Sequence, residues 1–195
     1  VVSATASEPA DEIFADQANP VTTTVNLRAT AIDISNAATT GSLYNRGSIS
    51  AVLVGRSGEA FAIRDASGSL SDVTNEGLIS AVGRTSDPTE ATPLDFTLVA
   101  IDASANTSGF TYTQQLREDS DPDDDIDPIA PRTTGDIRLG SGDDLIVASA
   151  GTIDGDIDFG GGQDTLTLSG GSAYTGLIET TGEVTLNVSD GSVLT

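Results

Sequence analysis

The sequence predicts an all-β protein that folds as a right-handed parallel β-helix, a form of β-solenoid. One pattern is written twice at a constant offset of 20, in residues 135–148 and 155–168, and a fixed period of this size is typical of solenoids. Within both copies apolar residues alternate with polar ones, as in strands that bury one face. Hydrophobic residues make up 37% of the chain and aromatic residues 4%, which suits the thin aliphatic core of stacked rungs.

Residues 1–25 are predicted to form an N-terminal arm and residues 26–195 the β-helix. The arm is rich in Ala, Ser, Thr, Pro and acidic residues, so we expect it to be either flexible or strand-donating. Residues 21–27 (VTTTVNL) alternate and are β-branched, which favours a strand at the end of the arm.

A second repeat, with an offset of 30, covers residues 45–52 (NRGSISAV) and 75–82 (NEGLISAV). Each Asn-x-Gly element predicts a tight turn, because Asn and Gly both tolerate left-handed conformations. The alternating Ile-Ser-Ala-Val that follows predicts a strand. Related Ala-Ile segments at residues 31–33, 62–65 and 100–102 extend this repeat to a third copy.

Residues 116–134 interrupt the repeats. Residues 117–128 (REDSDPDDDIDP) are a dense acidic run with two prolines, and such a run predicts a solvated loop rather than a packed strand. A Ca²⁺ site is the alternative, but the EF-hand loop needs Gly at position 6 and Glu at position 12, and this spacing does not match it.

Periods of 20 to 30 residues predict about seven to nine rungs, stacked about 4.8 Å apart by parallel hydrogen bonding. The positions expected to face inward are Ile49, Val52 or its neighbour, Ile79, Ile137, Leu139, Ile146, Ile157, Phe159, Leu166, Leu168 and Val184.

The charge of the chain excludes several classes of partner. With 30 acidic residues against 8 basic ones, the net charge is -22, so a nucleic-acid backbone would be repelled and no nucleic-acid partner is expected. The sequence has no run of 18 apolar residues, and a helix that spans a membrane needs a stretch of about that length.

The residue types present also limit the chemistry. The chain has no His and no Cys, so a Ser-His-Asp or Cys-His arrangement cannot be assembled. A pair of carboxylates could still act on a glycoside, and the candidates are Asp154, Asp156 and Asp158. Because Asp156 and Asp158 flank an inward Ile157, we expect them to face solvent, and we predict no enzyme, no catalytic residue and no bound organic cofactor.

The Gly-rich loops of the 20-residue repeat are the candidate metal site. Stacking places Asp144 above Asp164, and two carboxylates about 5 Å apart repel by roughly 1 kcal/mol even in water. Either the side chains splay into solvent, or Ca²⁺ lies between them, since this ion binds carboxylate and carbonyl oxygens. The glycines whose carbonyl groups would complete the site are Gly140, Gly142, Gly160 and Gly162.

Residues 140–147 (GSGDDLIV) and 160–168 (GGGQDTLTL), with the repeated Asn-x-Gly-x-Ile, resemble the late rungs of bacterial autotransporter passenger domains. The resemblance implies a secreted β-helix that is displayed on the outer surface of a bacterium and is often adhesive. The same loops also resemble the calcium-binding repeats of RTX proteins. However, Leu139 and Phe159 stand in place of the first Gly, and the nine-residue period is absent.

We therefore expect a non-enzymatic, extracellular structural or adhesive β-helix, either a surface stalk or a subunit of a surface polymer. The alternatives are a Ca²⁺-stabilised RTX-like secreted module and a polysaccharide-active β-helix enzyme. Expected partners are surface glycans or matrix, and other copies joined head to tail through the rung ends and the N-terminal arm. Ends that meet further rungs of a longer stalk are the alternative to a fibre.

Overall fold

The computed structural model describes residues 1–7, 27–35, 38–85, 94–119 and 128–195. In these residues it shows three parallel sheets and no helix, which confirms the predicted all-β parallel β-helix. The strands are β1 (Val2–Ser7), β2 (Leu27–Ile34), β3 (Ser42–Asn45), β4 (Ser48–Val54), β5 (Ser57–Asp65), β6 (Asp72–Asn75), β7 (Leu78–Arg84), β8 (Asp95–Asp102), β9 (Thr111–Gln114), β10 (Arg132–Thr134), β11 (Asp136–Arg138), β12 (Leu145–Ala148), β13 (Thr152–Asp154), β14 (Ile157–Asp158), β15 (Gln163–Leu168), β16 (Ala173–Thr175), β17 (Ile178–Glu179), β18 (Glu183–Val188) and β19 (Val193–Leu194).

Each sheet collects every third strand, as a chain that winds in rungs requires. Sheet A has the order β1-β4-β7-β10-β13-β16-β19, sheet B the order β2-β5-β8-β11-β14-β17, and sheet C the order β3-β6-β9-β12-β15-β18. The described residues form six complete rungs of three strands, and β19 begins a seventh, at the lower end of the seven to nine predicted. The early rungs are longer than 20 residues: Ser48 pairs with Leu78, 30 positions on, whereas Arg132 pairs with Thr152, 20 positions on.

The first residues of the chain form the edge strand of sheet A. Strand β1 pairs in parallel with β4, from Val2 beside Ile49 to Ser7 beside Val54. This part of the predicted N-terminal arm is therefore a strand of its own chain's sheet. Of the strand predicted at residues 21–27, residues 21–26 lie outside the described residues, and Leu27 begins β2.

The loop predicted at residues 116–134 ends earlier than expected. Residues 116–119 and 128–131 carry no strand, but residues 132–134 form β10, which pairs with β7 and β13. The prediction was wrong there because Thr133, a polar residue, is fully buried and takes part in a hydrogen-bonded polar interior rather than in a solvated loop. Residues 120–127 lie outside the described residues.

The aliphatic core follows the inward positions of the strands. The inward positions predicted from Ile49 to Leu168 are buried. At the position given as Val52 or its neighbour, Ala51 and Leu53 are the buried residues and Val52 is partly buried. Val184 is partly buried against the core, because its rung has a neighbouring rung on one side only. A side chain of the Gly/Asp loops that points inward, as these core residues do, is therefore removed from solvent.

Candidate functional site

Asp144 and Asp164 lie beside each other on adjacent rungs, as predicted. Asp144 immediately precedes β12, Asp164 is the second residue of β15, and the two strands pair with Ile146 beside Leu166. Because side chains alternate along a strand, each Asp has the same inward orientation as the apolar residue two positions later. Both residues are 2% exposed, so the expectation that they splay into solvent is wrong. Asp144 lies two positions before Ile146, and Asp164 lies two positions before Leu166. This spacing was the sequence signal for their burial.

One oxygen of each carboxylate accepts a hydrogen bond from the backbone of the preceding rung. The N–H of Phe110 donates to Asp144 Oδ1 over 2.7 Å, and the N–H of Asp144 donates to Asp164 Oδ1 over 2.9 Å. The two Oδ2 atoms are buried and have no hydrogen-bond partner. Each side chain thus satisfies one backbone donor while half of its own acceptor capacity stays unused. We refer to Asp144 and Asp164 as the carboxylate stack.

The environment favours the neutral form of these acids. Burial, followed by repulsion from the carboxylates of Asp164 and Asp143, raises the pKa of Asp144 to about 6. The pKa of Asp164 is also raised, first by burial and then by the charge of Asp143. A solvated Asp titrates near pH 4 (about 3.9), so the stack holds protons more tightly than the unfolded chain does.

The glycines of these loops are required for close packing between rungs. A Cβ on Gly160 would lie 2.0 Å from the carbonyl oxygen of Gly140, and one on Gly162 would lie 2.2 Å from that of Gly142. The carbonyl groups are also largely committed: Gly140 accepts from the N–H of Gly161, and Gly160 accepts from the N–H of Thr181. These glycines therefore allow the loops to stack, and the carbonyl oxygens of Gly140 and Gly160 already accept backbone hydrogen bonds.

This donor set does not fit Ca²⁺. The ion takes six to eight oxygen ligands, whereas the stack offers two uncommitted buried oxygens, those of Asp144 and Asp164. In the part of the chain that the structure describes, no group of three or more acidic side chains is placed to hold a metal ion. The arrangement can instead bind a proton, which needs neither a cavity nor further ligands.

The acids considered for catalysis have structural partners and are exposed, as predicted for two of them. Asp154 lies 3.5 Å from Arg132 Nη2 in an exposed ion pair. Asp156 Oδ1 accepts the N–H of Leu177, and Asp158 Oδ1 accepts the N–H of Gly160. The three side chains thus stabilise turns and neighbouring strands.

A buried network of neutral polar side chains crosses the earlier rungs, and the sequence reasoning did not find it. Asn45 Nδ2 donates to Asn75 Oδ1 over 2.8 Å, and Asn75 Nδ2 donates to Gln114 Oε1 over 3.3 Å. Gln114 Oε1 also accepts from the hydroxyl groups of Tyr112 and Thr133. We call these five residues the neutral ladder. The recurrence of Asn at an offset of 30 was its signal, but nothing in the repeat pointed to the other three members.

The Asn-x-Gly turns form, but not for the predicted reason. Asn45 Oδ1 accepts the N–H of Gly47, and Asn75 Oδ1 accepts that of Gly77. None of these four residues has a positive φ. Gly77 is needed because a Cβ there would lie 2.2 Å from the Gly47 carbonyl oxygen, so close packing of rungs explains the motif.

Two neighbouring columns on the outer face of sheet C are nearly uncharged. The outward residues of these columns run along the face in register, with a single acid among them. We call these twelve residues the sheet C wall, and they are Ser42, Asp72, Thr111, Leu145, Thr165 and Thr185 in one column and Tyr44, Thr74, Thr113, Val147, Thr167 and Asn187 in the other. Beside the wall, at the start of β15 and β18, Gln163 and the acid Glu183 also face outward.

On sheet B, by contrast, outward acids and arginines alternate. Arg64 lies 3.2 Å from Asp33 and 3.9 Å from Asp102. The two walls therefore present different chemistry to a partner.

Comparison of the chain with protein-family models, with curated proteins and with solved structures finds no match. The described ranges contain no helix that is long and apolar enough to cross a membrane.

Proposed function

We propose that the chain is a non-enzymatic structural or adhesive β-helix, exposed on the outer surface of a bacterium, that acts through its outer walls. The observation that carries the proposal is the sheet C wall. It has one acid, Asp72, among twelve outward positions, on a chain whose net charge is -22. A partner that approaches this wall meets little of the charge repulsion that the rest of the surface creates.

The wall also supplies a regular contact surface. Strands β6, β9, β12, β15 and β18 pair without a shift in register. Thr side chains on neighbouring rungs, such as Thr74 and Thr113 or Thr165 and Thr185, therefore lie at the rung spacing of about 4.8 Å. Each Thr offers a methyl group and a hydroxyl group that both donates and accepts hydrogen bonds. Such a face suits contact with uncharged surface glycans or matrix.

The chemistry of the exposed acids supports a role without catalysis. Asp154, Asp156 and Asp158 have structural partners, and the sequence supplies no His or Cys to act as a base or nucleophile. Measurable cleavage of an acidic polysaccharide by the purified chain would overturn this part of the proposal.

Adhesion can be tested by displaying the chain on a non-adherent bacterial strain and counting cells retained on neutral glycans and on matrix protein. We expect retention above that of cells without the chain. Thr113→Asp with Thr167→Asp, which charges the sheet C wall, is expected to remove most of it. The matched control charges exposed Thr residues of sheet A, Thr152→Asp with Thr175→Asp, and should leave retention intact. Equal loss in both variants, or no retention of the original chain, would contradict the proposal.

Assembly of copies is a second candidate, favoured by the apolar residues of the last rung. Leu186, Val188 and Val193 are each about half exposed. Leu186 and Val188 continue columns that are apolar and buried in the earlier rungs. Val193 precedes Leu194, which continues the column of the buried Tyr174. Exposed strand edges of this kind can accept another strand. We expect light scattering to show association that increases with salt, which screens the net charge. A chain that stays monomeric at high concentration, with and without Ca²⁺, would exclude assembly.

A further inference from the structure

Buried carboxylates in this fold are not all left half-satisfied. Asp65 is also 2% exposed, but its Oδ1 accepts from the N–H and hydroxyl of Ser67, and its Oδ2 accepts from the N–H of Leu70. Asp144 and Asp164 lack the second set of donors. A buried acceptor without a partner is costly, and more so when it carries charge.

No cation faces the carboxylate stack from the described elements around it. The charged and titratable side chains on those elements are Asp143 in the same loop, Tyr112 on β9, Asp136 and Arg138 on β11, Asp158 on β14 and Glu183 on β18. Arg138 lies on the outer face, 3.6 Å from Asp136. Tyr112 is engaged within the neutral ladder. Glu183 is paired in register with Gln163 rather than with Asp164.

From this geometry we infer that the carboxylate stack is a proton-binding site, and that the loops which look like calcium loops store a proton instead of a metal ion. A proton on one carboxylate removes the repulsion between Asp144 and Asp164 and the cost of a buried charge. The Oδ1 atoms continue to accept the backbone N–H groups. The inference is independent of the proposed surface role.

The direction of the pH effect follows from linkage. The folded chain binds protons at the stack more tightly than the unfolded chain does. The contribution of the carboxylate stack to the free energy of unfolding therefore increases as pH falls. The gain begins near the raised pKa of Asp144, about 6, and is complete below the unfolded value of about 3.9. Because the two acids interact, the protons are expected to bind in two macroscopic steps that belong to the pair.

The test is urea unfolding of the full chain and of the variant Asp144→Asn/Asp164→Asn between pH 7.5 and 4.5. Asn keeps the oxygen that accepts the backbone N–H and removes the charge. We expect the unfolding constant of the original chain, divided by that of the variant, to fall about tenfold to a hundredfold across this range. The control is Asp158→Asn, at an exposed acid of the neighbouring loop whose Oδ1 accepts the N–H of Gly160. It should show a much smaller change.

A ratio that stays constant with pH would overturn the inference. A second measurement does not depend on any variant folding. Carbon-13 carboxyl resonances of the original chain should report a pKa of about 6 for Asp144 and a pKa above the unfolded value for Asp164, and titration of both at the unfolded value would contradict the inference. A rise in the urea midpoint caused by Ca²⁺ at pH 7.5, present in the original chain and absent from the double variant, would establish a metal site instead.

Discussion

The neutral ladder of the earlier rungs and the carboxylate stack of the later ones place polar groups in the same kind of aliphatic interior. Amides and hydroxyls can both donate and accept, so Asn75 has partners on both sides. Carboxylates only accept, and the two buried Oδ2 atoms have no partner. The comparison teaches that burial alone does not make a rung sensitive to pH: the supply of hydrogen-bond donors decides it.

Converting the neutral ladder into a carboxylate site should give the largest effect. Asn75→Asp removes the donor to Gln114 and places a charge beside Asn45 in a fully buried position. We expect a loss of about 3–5 kcal/mol in the free energy of unfolding at pH 7, measured in urea. The loss should shrink as pH falls, since the new carboxyl can be protonated. Asn187→Asp, at an exposed position on β18, is the control and should change little.

The steric role of the loop glycines gives the next effect. Gly160 and Gly171 both have left-handed φ, of 67° and 74°, but only Gly160 would bring a Cβ against a backbone oxygen. Gly171→Ala should cost about 1–2 kcal/mol, for the left-handed conformation alone. Gly160→Ala should cost roughly 2 kcal/mol more, because the rungs must separate. Equal losses in thermal or urea unfolding would show that close packing of the loops is not what the glycines provide.

Glu76 sharpens the comparison because it is a buried acid with donors. Hydrogen bonds from Tyr44, Gln115 and Arg46, together with the Arg46 charge, lower the pKa of Glu76. Its contribution is therefore present above the unfolded value of about 4.3 and is lost as pH falls further. We expect Glu76→Gln to cost roughly 1 kcal/mol at pH 7, and we expect this cost to shrink as pH falls below about 4.3. This is opposite in sign to the stack, and a cost that grows on acidification would refute it.

Calcium should have the smallest effect. The original chain and Asp144→Asn/Asp164→Asn are expected to show the same small difference in melting temperature between EDTA and millimolar Ca²⁺. That difference reflects general screening of the net charge, and Mg²⁺ at equal concentration should reproduce it. A Ca²⁺-specific increase that the double variant lacks would restore the metal site.

The repeats predicted the rungs because stacking requires the same side-chain orientation at the same offset. Ile137 and Ile157, 20 positions apart, do pair and are both buried. The burial of Asp164 was missed because its Gly-rich surroundings favoured a solvated loop, although it alternates with Leu166. Gln114 could not be predicted as a partner of Asn75, because the rung that contains it is lengthened and no repeat aligns the two residues. The small, alternating residues of β1 gave no indication that this strand would pair with β4.

Residue-resolved hydrogen exchange tests the difference between the two regions most directly. The N–H groups of Phe110 and Asp144 are bound by the carboxylate stack, and those of Gly47 and Gly77 by the neutral ladder. In a solenoid, neighbouring rungs can open separately. We expect the opening free energies at Phe110 and Asp144 to increase from pH 7.5 to pH 5, after correction for intrinsic rates, while those at Gly47 and Gly77 stay constant. Equal changes at all four amides, or no change at Phe110 and Asp144, would contradict a proton site in the later rungs.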